Sequence, residues 1–266
     1  MNSNVCRTKL LVLALLFQGA ASGWSETPYT STAGVSVSNY TYSEQGVKQT
    51  GYMGGVNLSF SKFVGLVYWN TDLALEAGRV KYSSADTGRT GNDSNLMIEA
   101  RVVAGTRFGK AASGGEFTWS IIPYVGIGYR FLGNDSAGDI TDTEAFGYDR
   151  RSNYLYSPIG FEATRRFGQG WSFTTKAEFD AFWAGRQISY LSPTVTNRQS
   201  SGYGARGSVA FRYKGKVRDF TIEPFITYWN IGKSNTAAFD TDSGTYIAWE
   251  PQNTTTEVGC KIGFGF

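Results

Sequence analysis

The chain has 266 residues, of which 33 are glycine and 15% aromatic, with a formal charge of +3 and no histidine. So small a charge gives no footing for nucleic-acid binding. A chain without histidine builds neither a histidine-dependent catalytic triad nor the imidazole side of a metal centre.

Arg7 and Lys9 precede the apolar run Leu10 to Phe17, and the small residues Gly19 to Gly23 follow. This is the basic, apolar, small-residue order of a secretory signal peptide, expected over residues 1–23 with cleavage between Ala21 and Trp24. The apolar run is too short for a spanning helix, which needs about 20 residues, and no later run approaches that length. Losing Arg7 and Lys9 leaves 23 basic against 22 acidic residues in a single domain over 24–266. Cys6 leaves with the signal. Cys260 then stands alone, without a disulfide partner and without the cysteine cluster of a zinc site.

Ten extended segments follow, broken at clusters of Gly, Asn, Asp and Ser. They cover about 33–43, 51–61, 66–82, 95–108, 117–132, 153–167, 171–185, 202–213, 219–231 and 254–266. The odd-numbered connections read as the longer ones, including Ser83 to Ser94, Gly133 to Ser152, Arg186 to Ser201 and Gly232 to Asn253. The even-numbered ones read as short: Ser61 to Gly65, Gly109 to Glu116, Gly168 to Gly170 and Lys214 to Arg218. Short turns at one end and longer loops at the other fit an up-and-down antiparallel barrel of ten strands, with eight or twelve as the alternatives.

Side chains alternate across a strand with period 2. In the seventh segment Trp171, Phe173, Phe179 and Trp183 share one face, while Lys176, Glu178 and Asp180 share the other. The eighth sets Tyr203, Val209, Phe211 and Tyr213 against Arg206 and Arg212. Aromatic residues near strand ends read as an interfacial girdle: Trp171, Trp183, Phe211, Tyr213, Tyr228, Trp229, Phe264 and Phe266. The first segment has no clear phase, since Val35 and Val37 fall opposite Tyr40 and Tyr42. Pro123, Pro158 and Pro224 lie inside segments, where each removes a ladder donor, so bulges or strand ends are expected beside them.

The polar faces carry Glu99, Arg101, Arg130, Glu162, Lys176, Glu178, Asp180, Arg206, Arg212, Glu223, Glu257 and Lys261. Pairing about the turn at Gly168 to Gly170 sets Glu162 across from Lys176. Such a lining acts either as a salt-bridged plug or as the selectivity surface of a narrow pore. Of these the plug is favoured, because small barrels fill their interiors with side chains. The acidic stretches Asp139 to Glu144 and Asp240 to Gly244 match no complete calcium-loop pattern and read as solvated loops.

The final segment places Val258, Cys260, Ile262, Phe264 and Phe266 on one face, and Glu257, Gly259, Lys261, Gly263 and Gly265 on the other. With its closing aromatic residue it resembles the last strand of bacterial outer-membrane β-barrel proteins, the small porin-like and opacity-type barrels. That resemblance implies an all-β transmembrane barrel in the cell outer membrane. It also implies contact with membrane lipids and lipopolysaccharide, and recognition of the terminal strand, Phe264 and Phe266 included, by the barrel assembly machinery. Omptin proteases resemble the design in strand count but depend on histidine, as do outer-membrane lipases, so no enzyme activity, cofactor or metal is expected. The functional expectation is a structural or surface-interaction barrel with a largely plugged, charge-lined lumen and an unknown surface ligand. A narrow channel for ions or small solutes is the alternative, and a secreted soluble barrel or sandwich is the runner-up fold.

Overall fold

The computed structural model describes residues 29–111, 117–168, 170–241 and 244–266, so the signal-peptide reading over 1–23 lies outside the described residues. Fourteen strands are present among them. In chain order they are β1 (Tyr29–Glu44), β2 (Val47–Val64), β3 (Val67–Ser84), β4 (Gly88–Thr106), β5 (Phe108–Ala111), β6 (Phe117–Asp135) and β7 (Arg150–Phe167). After them come β8 (Trp171–Ser189), β9 (Val195–Gln199), β10 (Gly202–Lys214), β11 (Asp219–Ile231), β12 (Ala237–Thr241), β13 (Gly244–Ala248) and β14 (Asn253–Gly265).

Ten staves close into a barrel. β5 continues β4 along the same partner, β6, and β9 continues β10 along β8. Neighbouring staves are antiparallel throughout, and the seam runs between β1 and β14 from Thr32 opposite Gly265 to Glu44 opposite Asn253. Beyond Gly265, Ser31 and Phe266 exchange backbone hydrogen bonds of 3.2 and 2.9 Å and lock the seam. β12 and β13 form a separate hairpin.

The wall has two zones. Toward the chain termini, outward positions are apolar and exposed: Val35 and Val37 on β1, Val56 and Leu58 on β2, Val125 and Ile127 on β6, Ile222 and Ile226 on β11, Val258 and Ile262 on β14. Most staves run 16–19 residues, whereas crossing a bilayer takes about 9–11, so the far end stands clear of the membrane as a collar. In the collar the pattern inverts. Tyr40, Tyr42, Met53, Val80 and Met97 form a buried cluster inside it, and Lys48, Arg79 and Lys81 point out. The collar is built like a water-soluble barrel, apolar within and polar without. This resolves β1: Val35 and Val37 face lipid, while Tyr40 and Tyr42 face the interior one zone higher.

The collar also corrects the connection lengths. Three connections expected to be long are short: Gln45 and Gly46 join β1 to β2, residues 85–87 join β3 to β4, and residues 190–194 join β8 to β9. Polar outward residues made the collar strands look like loops. The two-residue turn works because Gly46 takes the left-handed φ of 76°. The connections 136–149 and 232–252 remain long.

Each of the three prolines coincides with a gap in one ladder, and the register is kept across every gap. Along β6 the ladder to β4 and β5 skips Ile122 and Pro123 opposite Thr106 and Arg107. The β6–β7 ladder skips Gly126 and Ile127 opposite Ser157 and Pro158, and the β10–β11 ladder skips Val209 and Ala210 opposite Glu223 and Pro224. The one register shift nearby lies at Leu155/Tyr156, where β8 holds an extra residue. That shift and the break at Ser200 and Ser201 reverse the inward phase of two adjacent staves. Below them even-numbered residues such as Asp180 and Gly204 face in; above them Gln187, Asn197 and Gln199 do.

Candidate functional site

Alternation brings all twelve charged residues named from the sequence to the interior, at three heights. Nearest the chain termini is a cavity of about 280 Å³ whose lining includes Asp72, Arg101, Glu162, Lys176, Glu223 and Lys261. Glu162 lies opposite Lys176 in the β7–β8 register, with Nζ 3.6 Å from the carboxylate. The Lys176 side chain is 37% exposed to the cavity, so this pair is wet. Glu223 sits between the charges of Lys176 and Lys261, and Lys261 Nζ lies 4.9 Å from the Phe225 ring centre. Arg212 pairs with Asp219 at the mouth.

Above the cavity the charges interlock. Arg101 donates to Glu178 at 2.7 Å and lies 3.9 Å from Asp72. Arg206 donates to both oxygens of Glu99 at 2.5 and 2.6 Å and to Asp180 at 2.6 Å. Tyr124 and Tyr156 each donate a hydroxyl at 2.8 Å, to Glu178 and Glu99 respectively. Gly128 makes room for Tyr156: a Cβ there would overlap the phenol ring.

The waist closes the barrel. Arg130 donates to Glu257 at 2.7 Å and to the Met97 sulfur at 3.4 Å, and its guanidinium lies 5.3 Å from the Trp229 ring centre. Arg130 and Trp229 are each 1% exposed, and Tyr156 is fully buried. Trp229 therefore belongs to the interior and not to the interfacial girdle assigned from sequence. Its neighbour Tyr228 takes the outer face, against Tyr203. The pairing of charges with aromatic faces matters here, because an ion in a dry waist must be matched by its neighbours.

The collar interior holds a second gap of about 40 Å³ beside Tyr42, Arg150 and Gln187. Arg150 bridges Glu44 at 3.4 Å and Glu250 at 3.1 Å. The Ser234 amide donates to the Glu250 carbonyl at 3.0 Å and the Glu250 amide to the Ser234 hydroxyl at 2.8 Å, which ties the two ends of the 232–252 connection together. Of the acidic loop residues, Asp142 accepts the Arg89 amide at 2.8 Å and Asp240 accepts the Thr245 hydroxyl at 2.6 Å. Asp242 lies outside the described residues.

Sequence reading missed Asp72 and Glu76, although both follow the even phase of β3 opposite Leu73 and Leu75. Tyr124, Tyr156 and Trp229 were also missed as interior partners, because alternation gives a face and not a polar contact. The Arg150 group joins residues about 100 apart, and no local pattern could have signalled it.

No family model and no curated protein matches the chain. Among solved structures, the translocator domain of the autotransporter NalP from Neisseria meningitidis is similar at 10% identity and a TM-score of 0.42, over 94% of this chain and 90% of that one. The Pseudomonas putida toluene transporter TodX gives 8% and 0.35 over 91% and 90%. Neisserial surface protein A gives 11% and 0.32 over 90% and 98%. Identities and scores this low assign neither a family nor an activity. The wall itself is more informative: a closed, edgeless sheet with lipid-facing apolar residues and a charged interior is the spanning architecture of the bacterial outer membrane. This chain is an outer-membrane β-barrel protein.

Proposed function

We propose that the barrel has a structural or surface-interaction role and that its lumen is closed to solutes. The observation that carries this reading is the dry waist. Arg130, Glu257, Trp229 and Tyr156 fill the cross-section between the two cavities, and each is at most 3% exposed. With the interior sealed, the collar and the 136–149 and 232–252 connections are the parts that meet other molecules. The inward charges act as a plug that stiffens the wall, and no catalytic role is assigned to them.

Planar-bilayer recording on the purified, folded protein tests the proposal. Baseline current is expected. Steady, reproducible single-channel steps would defeat it and favour the narrow-channel reading. One observation supports that second reading: among the described residues the plug is made of side chains of the wall and not of an inserted segment, so rotamer changes alone would join the two cavities.

A further inference from the structure

The phase reversal above Asp180 and Ser201 does more than adjust packing. Had the even phase continued, Arg186 and Arg198 would point into the lumen. The extra residue in β8 and the break before β10 turn both outward, where each is exposed. They then stand directly opposite one another across the β8–β9 ladder. Like charges in that position destabilise a sheet unless an anion lies between them, and no carboxylate of the described residues pairs with either. Arg151, one stave away, is by contrast neutralised by Asp135 and Asp149.

Their height identifies the anion. Trp183 and Tyr203, both exposed aromatic residues of the outer face, lie three to five residues below. At about 3.3 Å per residue on a tilted strand, the guanidinium groups sit roughly 10 Å above the aromatic belt, at headgroup level. Asn153 occupies the next stave opposite Arg186, and its side-chain oxygen accepts a 2.6 Å bond from the Tyr129 hydroxyl. We infer that the outward Arg186–Arg198 pair is a binding site for a phosphate of the phosphorylated glycolipid of the outer leaflet, with each planar guanidinium presenting two donors to it. The inference rests on the outer-membrane setting of the wall.

The test uses the folded protein in neutral detergent and in phosphatidylcholine vesicles, probed with bisphosphorylated lipid A, dephosphorylated lipid A, phosphatidylglycerol and inorganic phosphate. Heat-dependent gel migration of each variant first verifies the wall, so failure of the barrel is distinguished from failure of the site. Arg186→Gln with Arg198→Gln should lower lipid A retention by about tenfold or more, since each basic side chain at an anionic surface contributes roughly fivefold. Lys216→Gln, in a turn at the opposite end, should leave retention unchanged. In phosphatidylcholine alone the double variant should unfold at a higher temperature than the parent, because the repulsion is gone, and with lipid A present this order should reverse. Equal retention by parent and double variant would overturn the site. Equal binding of dephosphorylated lipid A or phosphatidylglycerol, or protection by inorganic phosphate alone, would overturn the assignment to a phosphorylated glycolipid.

Discussion

Two ion pairs in one lumen have different energetics, and the water around them is the reason. Lys176 borders the 280 Å³ cavity and is more than one-third exposed, so its bond to Glu162 is screened. A double-mutant cycle on Lys176→Met and Glu162→Gln, read as folding stability in lipid, should give a coupling within about 0–1 kcal/mol. A coupling above that range would mean the cavity is dry. Glu257 is 3% exposed beside Arg130. Glu257→Gln leaves Arg130 buried and unmatched, and should cost on the order of 3–5 kcal/mol. A loss below 1 kcal/mol would show that water reaches the waist. The sequence placed all four residues on inward faces, because period 2 is a local property. It did not separate wet from dry, which depends on ring packing between Trp229 and Tyr156, residues remote in the chain that meet inside the closed ring.

At the scale of elements, the strand cores were legible wherever lipid sorts side chains, as in Val258, Ile262 and Phe264 against Glu257 and Lys261. They were illegible in the collar, where Lys48, Arg79 and Lys81 face water and resemble loop residues. The inversion from Val37 to Tyr40 is invisible without knowing where the bilayer ends. The 232–252 connection carries its own prediction. Burial pushes the Glu250 carboxyl above the usual carboxylate range, and Arg150 only partly opposes this. A carboxyl whose pKa is higher in the folded than in the unfolded state contributes stability that is complete below the unfolded value and is lost as pH rises through the folded one. Glu250→Gln removes that term. As pH rises from the unfolded carboxylate value of about 4.3 through the higher folded one, the denaturant midpoint of the parent should therefore fall relative to that of Glu250→Gln. Parallel pH profiles for the two proteins would contradict the assignment.

For the whole molecule, closure is a matter of one layer of side chains. Trp229→Ala removes the largest of them and should join the cavities above and below. Bilayer recordings of that variant are expected to show small current steps where the parent shows none. The inward carboxylates Asp72, Glu76, Glu99, Glu162, Glu178, Asp180, Glu223 and Glu257 outnumber the inward basic groups Arg101, Arg130, Lys176, Arg206, Arg212 and Lys261, so the current should be carried mainly by cations. An anion-selective reversal potential would contradict this charge count, and silence from the variant would place the seal elsewhere.

The seam between β1 and β14 joins residues more than 200 positions apart, and until it forms both strands are open edges. No smaller closed sheet is available along the way, so every stave must be in place before the last hydrogen bonds can be made. Such non-local closure makes assembly slow. It also makes disassembly slow, since the first step of opening must part a ladder anchored at Ser31 and Phe266 while the rest of the ring still holds it in register. The lifetime of the native state is therefore set by the rate of parting that seam, and losing Phe266 should shorten it far more than losing any aromatic residue of the collar.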